Sequence, residues 1–268
     1  MDIFRKIACQ GLLRSRTRTY VTIVGVALST ALVTAVTTFA ASLQAYMVGG
    51  AIVKYGGWHV NFPETDAAFV QEQFQDSRVE DVAIYENIGY ARLEGGQNPD
   101  KPYLFLAGFP EEAFETVPLE LILGRLPENK NEVLVPAHVA SNGGVKISLG
   151  DTLCLKVGSR MDGDRKLNQH DAYLSGEEPG RGPERFVPKE KKVYQVVGLY
   201  DRPAFEERIA PGYTLITKGD AAGGAESLGA FVTLSDPYQA RSYGEEAGLA
   251  YALNQGVMRF LGLSASEA

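Results

Sequence analysis

Between Arg18 and Lys54 the chain carries no charged residue. Few features restrict a fold more. Residues 20–41 (YVTIVGVALSTALVTAVTTFAA) are chiefly Val, Ile, Leu, Ala and Thr. As a helix they span about 33 Å, close to the roughly 30 Å hydrocarbon core of a bilayer. Their Thr and Ser residues are compatible with this, because a helical hydroxyl can bond a carbonyl one turn back. The expectation is a membrane-spanning helix, prolonged as a short stalk over residues 44–53 and ended at Gly56-Gly57.

The flanks orient it. Arg5, Lys6, Arg14, Arg16 and Arg18 precede the apolar run, against Asp2 alone. Basic flanks stay on the cytoplasmic side, so the main body is expected outside the cell membrane. The whole chain has 26 basic and 33 acidic residues. Five of the basic and one of the acidic residues lie in the leader, which leaves the remainder at a net −11. A cleaved signal peptide is the rival reading, but its apolar region is about 7–15 residues long. Ile3, Phe4, Ile7, Leu12 and Leu13 alternate with cations, which suits a segment lying along the inner leaflet. A plain basic stop for insertion suits it equally.

Composition narrows the class. The 268 residues suffice for one or two cores, and the acidic balance argues against a nucleic-acid partner. Two cysteines exclude a disulfide scaffold. On this topology Cys9 and Cys154 lie on opposite sides of the membrane. Cys154 reads as a small core residue in an apolar strand.

The spacing predicts an α+β body. Residues 1–19 form a basic cytoplasmic or interfacial segment, 20–54 the membrane helix and stalk, and 55–236 the extracytoplasmic domain. Strands are expected over 58–62, stopped by Pro63, then over 82–93 and 103–109, from Glu132, and over 193–200, 212–217 and 231–234. Val82, Ile84, Ile88 and Tyr90 fall on one parity. Thr65 is expected to cap a helix through Phe74, and a short helical piece covers 111–116. A Gly150-Asp151 turn between apolar stretches suggests a small barrel or a hairpin over 145–157. Residues 159–192 read as a polar, exposed excursion. Residues 237–268 are expected to return toward the membrane as a helix, with Tyr243, Leu253, Val257 and Phe260 on its apolar stripe. Trp58, Phe62 and Phe69 read as core.

The run Arg14-Ser-Arg-Thr-Arg followed by the apolar span, Gly124-Arg-Leu-Pro with Asn131-Glu-Val, Leu149-Gly-Asp-Thr-Leu153, and Tyr194-Gln-Val-Val-Gly-Leu199 come in a distinctive order. In that order the chain resembles the front half of an ABC-transporter permease of the FtsX/MacB-like family. The resemblance covers nearly the whole chain. It implies a MacB-like periplasmic core domain after the first membrane helix, and three further spans after residue 268. It also implies a pair of permease chains and a pair of separate ATPase subunits, together with contact to membrane lipid. The chain stops where the second span would begin, so it is expected to be cut short.

Catalytic chemistry is not evident in the sequence. No Gly-x-x-x-x-Gly-Lys-Ser/Thr phosphate loop occurs, and Leu174-Ser-Gly-Glu-Glu178 therefore reads as a chance likeness to an ATPase signature. His59, His138 and His170 form no ligand pair, and Asp162, Asp164 and Asp171 lack the spacing of a calcium loop. No cofactor or metal ligand is assigned, and ATP hydrolysis is expected in another subunit. The leading reading is a permease subunit for export or mechanotransmission. Its coupling residues would be Tyr46 and Met47 on one lever and Tyr243, Leu253, Val257 and Phe260 on the other. The five leader cations would set topology and meet lipid phosphate. The alternative is a single-span anchored binding or sensor domain, and an anchored enzyme comes third.

Overall fold

A computed structural model describes residues 16–176, 182–220 and 227–263. Arg5, Lys6, Arg14, Cys9 and the last residues of the 174–178 stretch lie outside the described residues. The chain divides into two units, Met1–Gly50 and Ala51–Ala268.

Helix α1 is Arg16–Tyr55, 40 residues. It is long and apolar enough to cross a membrane. Its Val, Leu, Ile and Phe side chains are exposed around the whole circumference, which a water-facing helix of a soluble protein avoids. The hydroxyls behave as the sequence requires: Thr22, Thr30 and Thr37 donate to the carbonyls of Arg18, Val26 and Val33 at 2.8–2.9 Å.

The body is a mixed α/β structure on one eleven-stranded sheet. Its strands are β1 Val60–Thr65, β2 Val79–Arg92, β3 Tyr103–Phe109, β4 Leu121–Gly124, β5 Glu132–Pro136, β6 Thr152–Asp162, β7 Arg165–Leu167, β8 Arg185–Tyr200, β9 Gly212–Lys218, β10 Leu228–Leu234 and β11 Ala252–Leu253. The spatial order is β11-β1-β10-β2-β3-β9-β5-β8-β6-β7, with β4 on β8. A further pairing of Tyr90 on β2 with Gly158 on β6 closes β2, β3, β9, β5, β8 and β6 into a barrel. One core cluster draws on all six strands and fills that barrel, including Ala91, Leu106, Val135, Val157, Val196 and Leu215. A second, aromatic cluster lies on the outer side of β2, β3 and β9 under α3 (Glu111–Thr116). A third packs β1, β10 and the start of β2 against α2 (Ala67–Gln73), α5 (Ala240–Glu246) and α6 (Gln255–Met258). The remaining short helix, α4, is His138–Gly143.

β3, α3, β5, β9 and the end of β10 form where the sequence places them. Other boundaries move for physical reasons. Pro63 does not stop β1, because a register shift between Phe62 and Thr65 accommodates the missing N–H. Thr65 therefore stays in the strand, and Asp66 caps α2 by accepting from the Phe69 N–H at 2.8 Å. β2 carries a bulge between Asn87 and Gly89, where Gly89 takes φ +134°. The extra residue switches the parity, so Val82 and Ile84 join one core face and Tyr90 joins another. A Cβ at Gly89 would lie 2.7 Å from the Gly158 carbonyl oxygen, so the seam of the barrel needs glycine there.

Of the two arrangements expected for 145–157, the hairpin does not form and the barrel does, since residues 152–157 open β6. The Gly150-Asp151 turn instead precedes the eleven-residue strand β6. Cys154 faces outward on that strand and is exposed, not core. The stretch 159–192 is not a mere exposed excursion, since it holds the end of β6, all of β7 and the start of β8. Its anchor is Arg160, which has no solvent-accessible surface. The guanidinium meets Glu184 with both arms at 2.8 and 2.6 Å and donates to the carbonyls of Asn168, Asp171 and Ala172. It also lies over the rings of Tyr90 and Tyr103.

The expected returning helix over 237–261 is also corrected. A 3-10 turn at Pro237–Gln239 and α5 are followed by Gly248 at φ +65°, then β11 and the four-residue α6. The apolar stripe is real, but it packs on the body's own sheet in segments, not as one helix.

Candidate functional site

The site with the densest specific geometry lies where α1 ends and the body begins, wholly within Ala51–Ala268. The last turn closes with Gly56 N–H donating to Ile52 O at 2.8 Å. Gly56 then takes φ +88° to turn the chain, and a Cβ there would lie 2.5 Å from the Thr116 carbonyl oxygen. Trp58 follows, buried against Phe231 with ring centroids 5.2 Å apart. Its indole N–H donates back to Tyr55 O at 3.0 Å.

A helix end leaves carbonyls without intrahelical partners, and here a side chain from far along the chain supplies donors. The Asn254 Nδ2 group faces Tyr55 O at 3.3 Å, Gly56 O at 3.1 Å and Trp58 O at 2.9 Å. The amide orientation is fixed, because Oδ1 accepts from the Val257 N–H and caps α6. The Asn254 backbone N–H donates to His59 O at 3.0 Å, and β11 pairs with β1 through Val60 opposite Leu253. Asn254 is 2% exposed. Gly256 lets the Tyr55 ring rest directly on the backbone, since a Cβ there would lie 2.2 Å from a Tyr55 ring carbon.

His59 lies next to this joint. Its Nδ1 accepts from the Leu234 N–H at 3.0 Å, which places the neutral ring's proton on Nε2. Burial lowers its pKa below the usual histidine value, with Glu80 pulling weakly the other way. The imidazole is therefore held neutral as part of the β1–β10 packing.

The expected coupling residues separate. Leu253 and Val257 flank Asn254 and belong to the joint, with Val257 fully buried. Tyr243 sits on α5, bonded to the Gln73 side chain and stacked under Arg78 at 4.9 Å. Phe260 follows α6 and is half-buried. Tyr46 and Met47 lie on exposed turns of α1, as do Arg16 and Arg18 at its start. Asn254 and Gly256 were not anticipated. The signal was present as Asn254-Gln-Gly256, turn-favouring residues interrupting an apparent helical stripe.

No protein-family model matches the chain, and no curated protein matches its sequence. Solved structures are similar to it. One is the extracellular domain of the noncanonic ABC-type transporter YknZ from Gram-positive bacteria, at 10% identity and a TM-score of 0.36 over 73% of this chain and 98% of that one. Another is the periplasmic region of MacB from Actinobacillus actinomycetemcomitans, at 12% identity and 0.36 over 80% and 97%. A third is a domain of a permease protein from Porphyromonas gingivalis, at 14% identity and 0.34 over 73% and 88%. Superposition and identity this low transfer no role from those proteins to this chain.

Proposed function

We propose that the chain is a permease-type subunit of an ABC transport system, acting in export or mechanotransmission. In this reading α1 crosses the cell membrane with its basic end in the cytoplasm, and the body works outside. Arg5, Lys6, Arg14, Arg16 and Arg18 hold that orientation against lipid phosphate. A separate ATPase subunit and a second permease chain complete the machine, and the sequence resemblance to FtsX/MacB-like permeases supports both.

The single observation that carries the reading is the Asn254 joint. One side chain ties the end of the apolar helix, the first strand of the sheet and the C-terminal segment together. A movement delivered at Tyr55 would then reach β1 and β11 at once. The second reading, an anchored binding or sensor domain, uses the same topology and is favoured by the cavity described below.

Two measurements test the proposal. In intact cells or spheroplasts a membrane-impermeant maleimide should label the exposed Cys154 and spare Cys9; the reverse pattern would sink the orientation. In membranes holding the chain with its ATPase, adding ATP should change the Cys154 labelling rate, and Asn254→Ala should abolish that response while ATP hydrolysis persists. An unchanged response would remove the joint from the mechanism. Isolation of the intact membrane protein without any ATPase subunit would favour the sensor reading.

A further inference from the structure

The body contains a cavity of about 460 Å³ that the transport reading does not use. It lies between the β2 bulge, β7 with the residues after it, and the loop that follows β8. Its volume falls within the range of small-molecule sites, roughly 300–1,000 Å³. Tyr85, Tyr90, Phe105 and Phe205 give it an aromatic wall. Tyr85 and Tyr90 are buried in the core, and their neighbours hold them in place: Tyr90 stacks with Phe105 at 5.1 Å and Tyr85 with Phe205 at 6.4 Å. The wall is therefore preformed, which lowers the entropic cost of binding.

Polar groups beside the wall are fixed in kind. Asn87 donates through Nδ2 to Pro63 O, Leu228 O and Ser227 Oγ, so its Oδ1 is committed as an acceptor. His170 presents Nδ1 to Glu207 at 2.8 Å, which leaves Nε2 of the neutral ring as an acceptor. Among the described residues neither Asn87 Oδ1 nor His170 Nε2 has a donor within reach, and both atoms are buried. Both residues line the cavity. Buried polar atoms of this kind usually have a partner. The lining also carries six carboxylates against four lysines, which disfavours an anion.

We infer that this cavity binds a small aromatic group carrying N–H donors, neutral or cationic, of the size of an indole with an amine arm. The ring lies against the Tyr85–Phe205 wall, and the N–H donors are directed to the acceptor-rich side of the same cavity, which Asn87, His170 and the lining carboxylates provide. Nothing in this inference depends on the transport reading, and it holds for an anchored sensor equally.

The test uses the full chain in lipid nanodiscs, with tryptamine as the probe and indole-3-acetate as its anionic counterpart. Ligand-observed NMR against the same nanodiscs without protein removes partition into lipid. The expected result is saturable tryptamine binding, at least tenfold weaker binding of indole-3-acetate, and about tenfold loss of tryptamine affinity in His170→Phe, the loss of one hydrogen bond. Phe205→Ala should weaken binding at least as much while leaving α1 and the barrel in place, checked by thermal unfolding. Absence of saturable binding, equal affinity for the acid, or affinity unaffected by both substitutions would each overturn the inference.

Discussion

The Asn254 side-chain amide donates to the Trp58 main-chain carbonyl at 2.9 Å, across 196 residues of chain. It shares its two N–H groups with the carbonyls of Tyr55 and Gly56. Removing the donor takes the partner from Gly56 O and Trp58 O, at about 1–3 kcal/mol for each, while Tyr55 O keeps the Trp58 indole N–H. Asn254→Ala should therefore destabilise the body by about 3 kcal/mol, a fall in Tm of roughly 6–12 °C for a domain of this size. Asn254→Asp should be worse at pH 7, because a carboxylate would face three carbonyl oxygens. Thermal unfolding of both variants decides it; an Asn254→Asp variant as stable as wild type would show that the amide donors are not needed.

Gly256 predicts a coupled pair. Gly256→Ala puts a methyl into the Tyr55 ring and should cost about 1–3 kcal/mol, the usual penalty for overpacking. Trimming the ring in Tyr55→Ala should make the second substitution nearly silent. A double-mutant cycle in denaturant measures the coupling, and strict additivity would refute the contact.

Arg160 and Glu184 should fail singly and not together. Both side chains are fully buried, and Arg160→Met leaves a carboxylate without its partner. The expected loss is about 3–5 kcal/mol, whereas Arg160→Met with Glu184→Leu should lose much less. Limited proteolysis within residues 162–176 reports the same ranking, since the guanidinium also holds the carbonyls of Asn168, Asp171 and Ala172.

Acid should act in two steps. His59 has a folded pKa lowered by burial, so below about 6.5 the unfolded chain takes up a proton that the folded body refuses. Stability from this group is complete above that value and declines as pH falls. His59→Asn, which keeps an acceptor for Leu234, should flatten the slope between pH 5 and 7. Glu206 acts lower. Burial alone would raise its pKa, but the His138 hydrogen bond and the Lys101 charge more than offset this and hold it at about 2. Its contribution is present above the unfolded glutamate value near 4.3 and is lost as pH falls toward 2. Denaturant midpoints from pH 3 to 8 separate the two; a single transition unaffected by His59→Asn would reject the assignment.

Legibility in the sequence followed burial. β3 and β5 are short runs of apolar residues bounded by Gly, Pro or charge, and their limits were readable. The 159–192 stretch reads as an exposed excursion because a strand with a wet face and a buried arginine looks polar along its length. Arg160 is buried because Glu184, 24 residues later, and the carbonyls of Asn168, Asp171 and Ala172 meet its guanidinium. The Tyr243, Leu253 and Val257 stripe was correctly apolar, yet apolar spacing does not reveal that Gly248 breaks the segment. Leu253 and Val257 lie on that stripe and Asn254 does not, so the residue that ties the joint together carries no periodic signal.

What the sequence determined by itself is the solvent each segment requires. A long uncharged run of helix-compatible residues needs an apolar surrounding, and alternating runs need one dry face, whatever they meet. What only the tertiary structure decided is which surfaces meet: the Tyr90–Gly158 seam that closes the barrel, the amide from residue 254 at the foot of α1, and the aromatic wall of the cavity. Each joins groups far apart along the chain. Local composition sets the free energy of leaving water, but the partner on the far side is chosen by geometry that forms only when the sheet is complete.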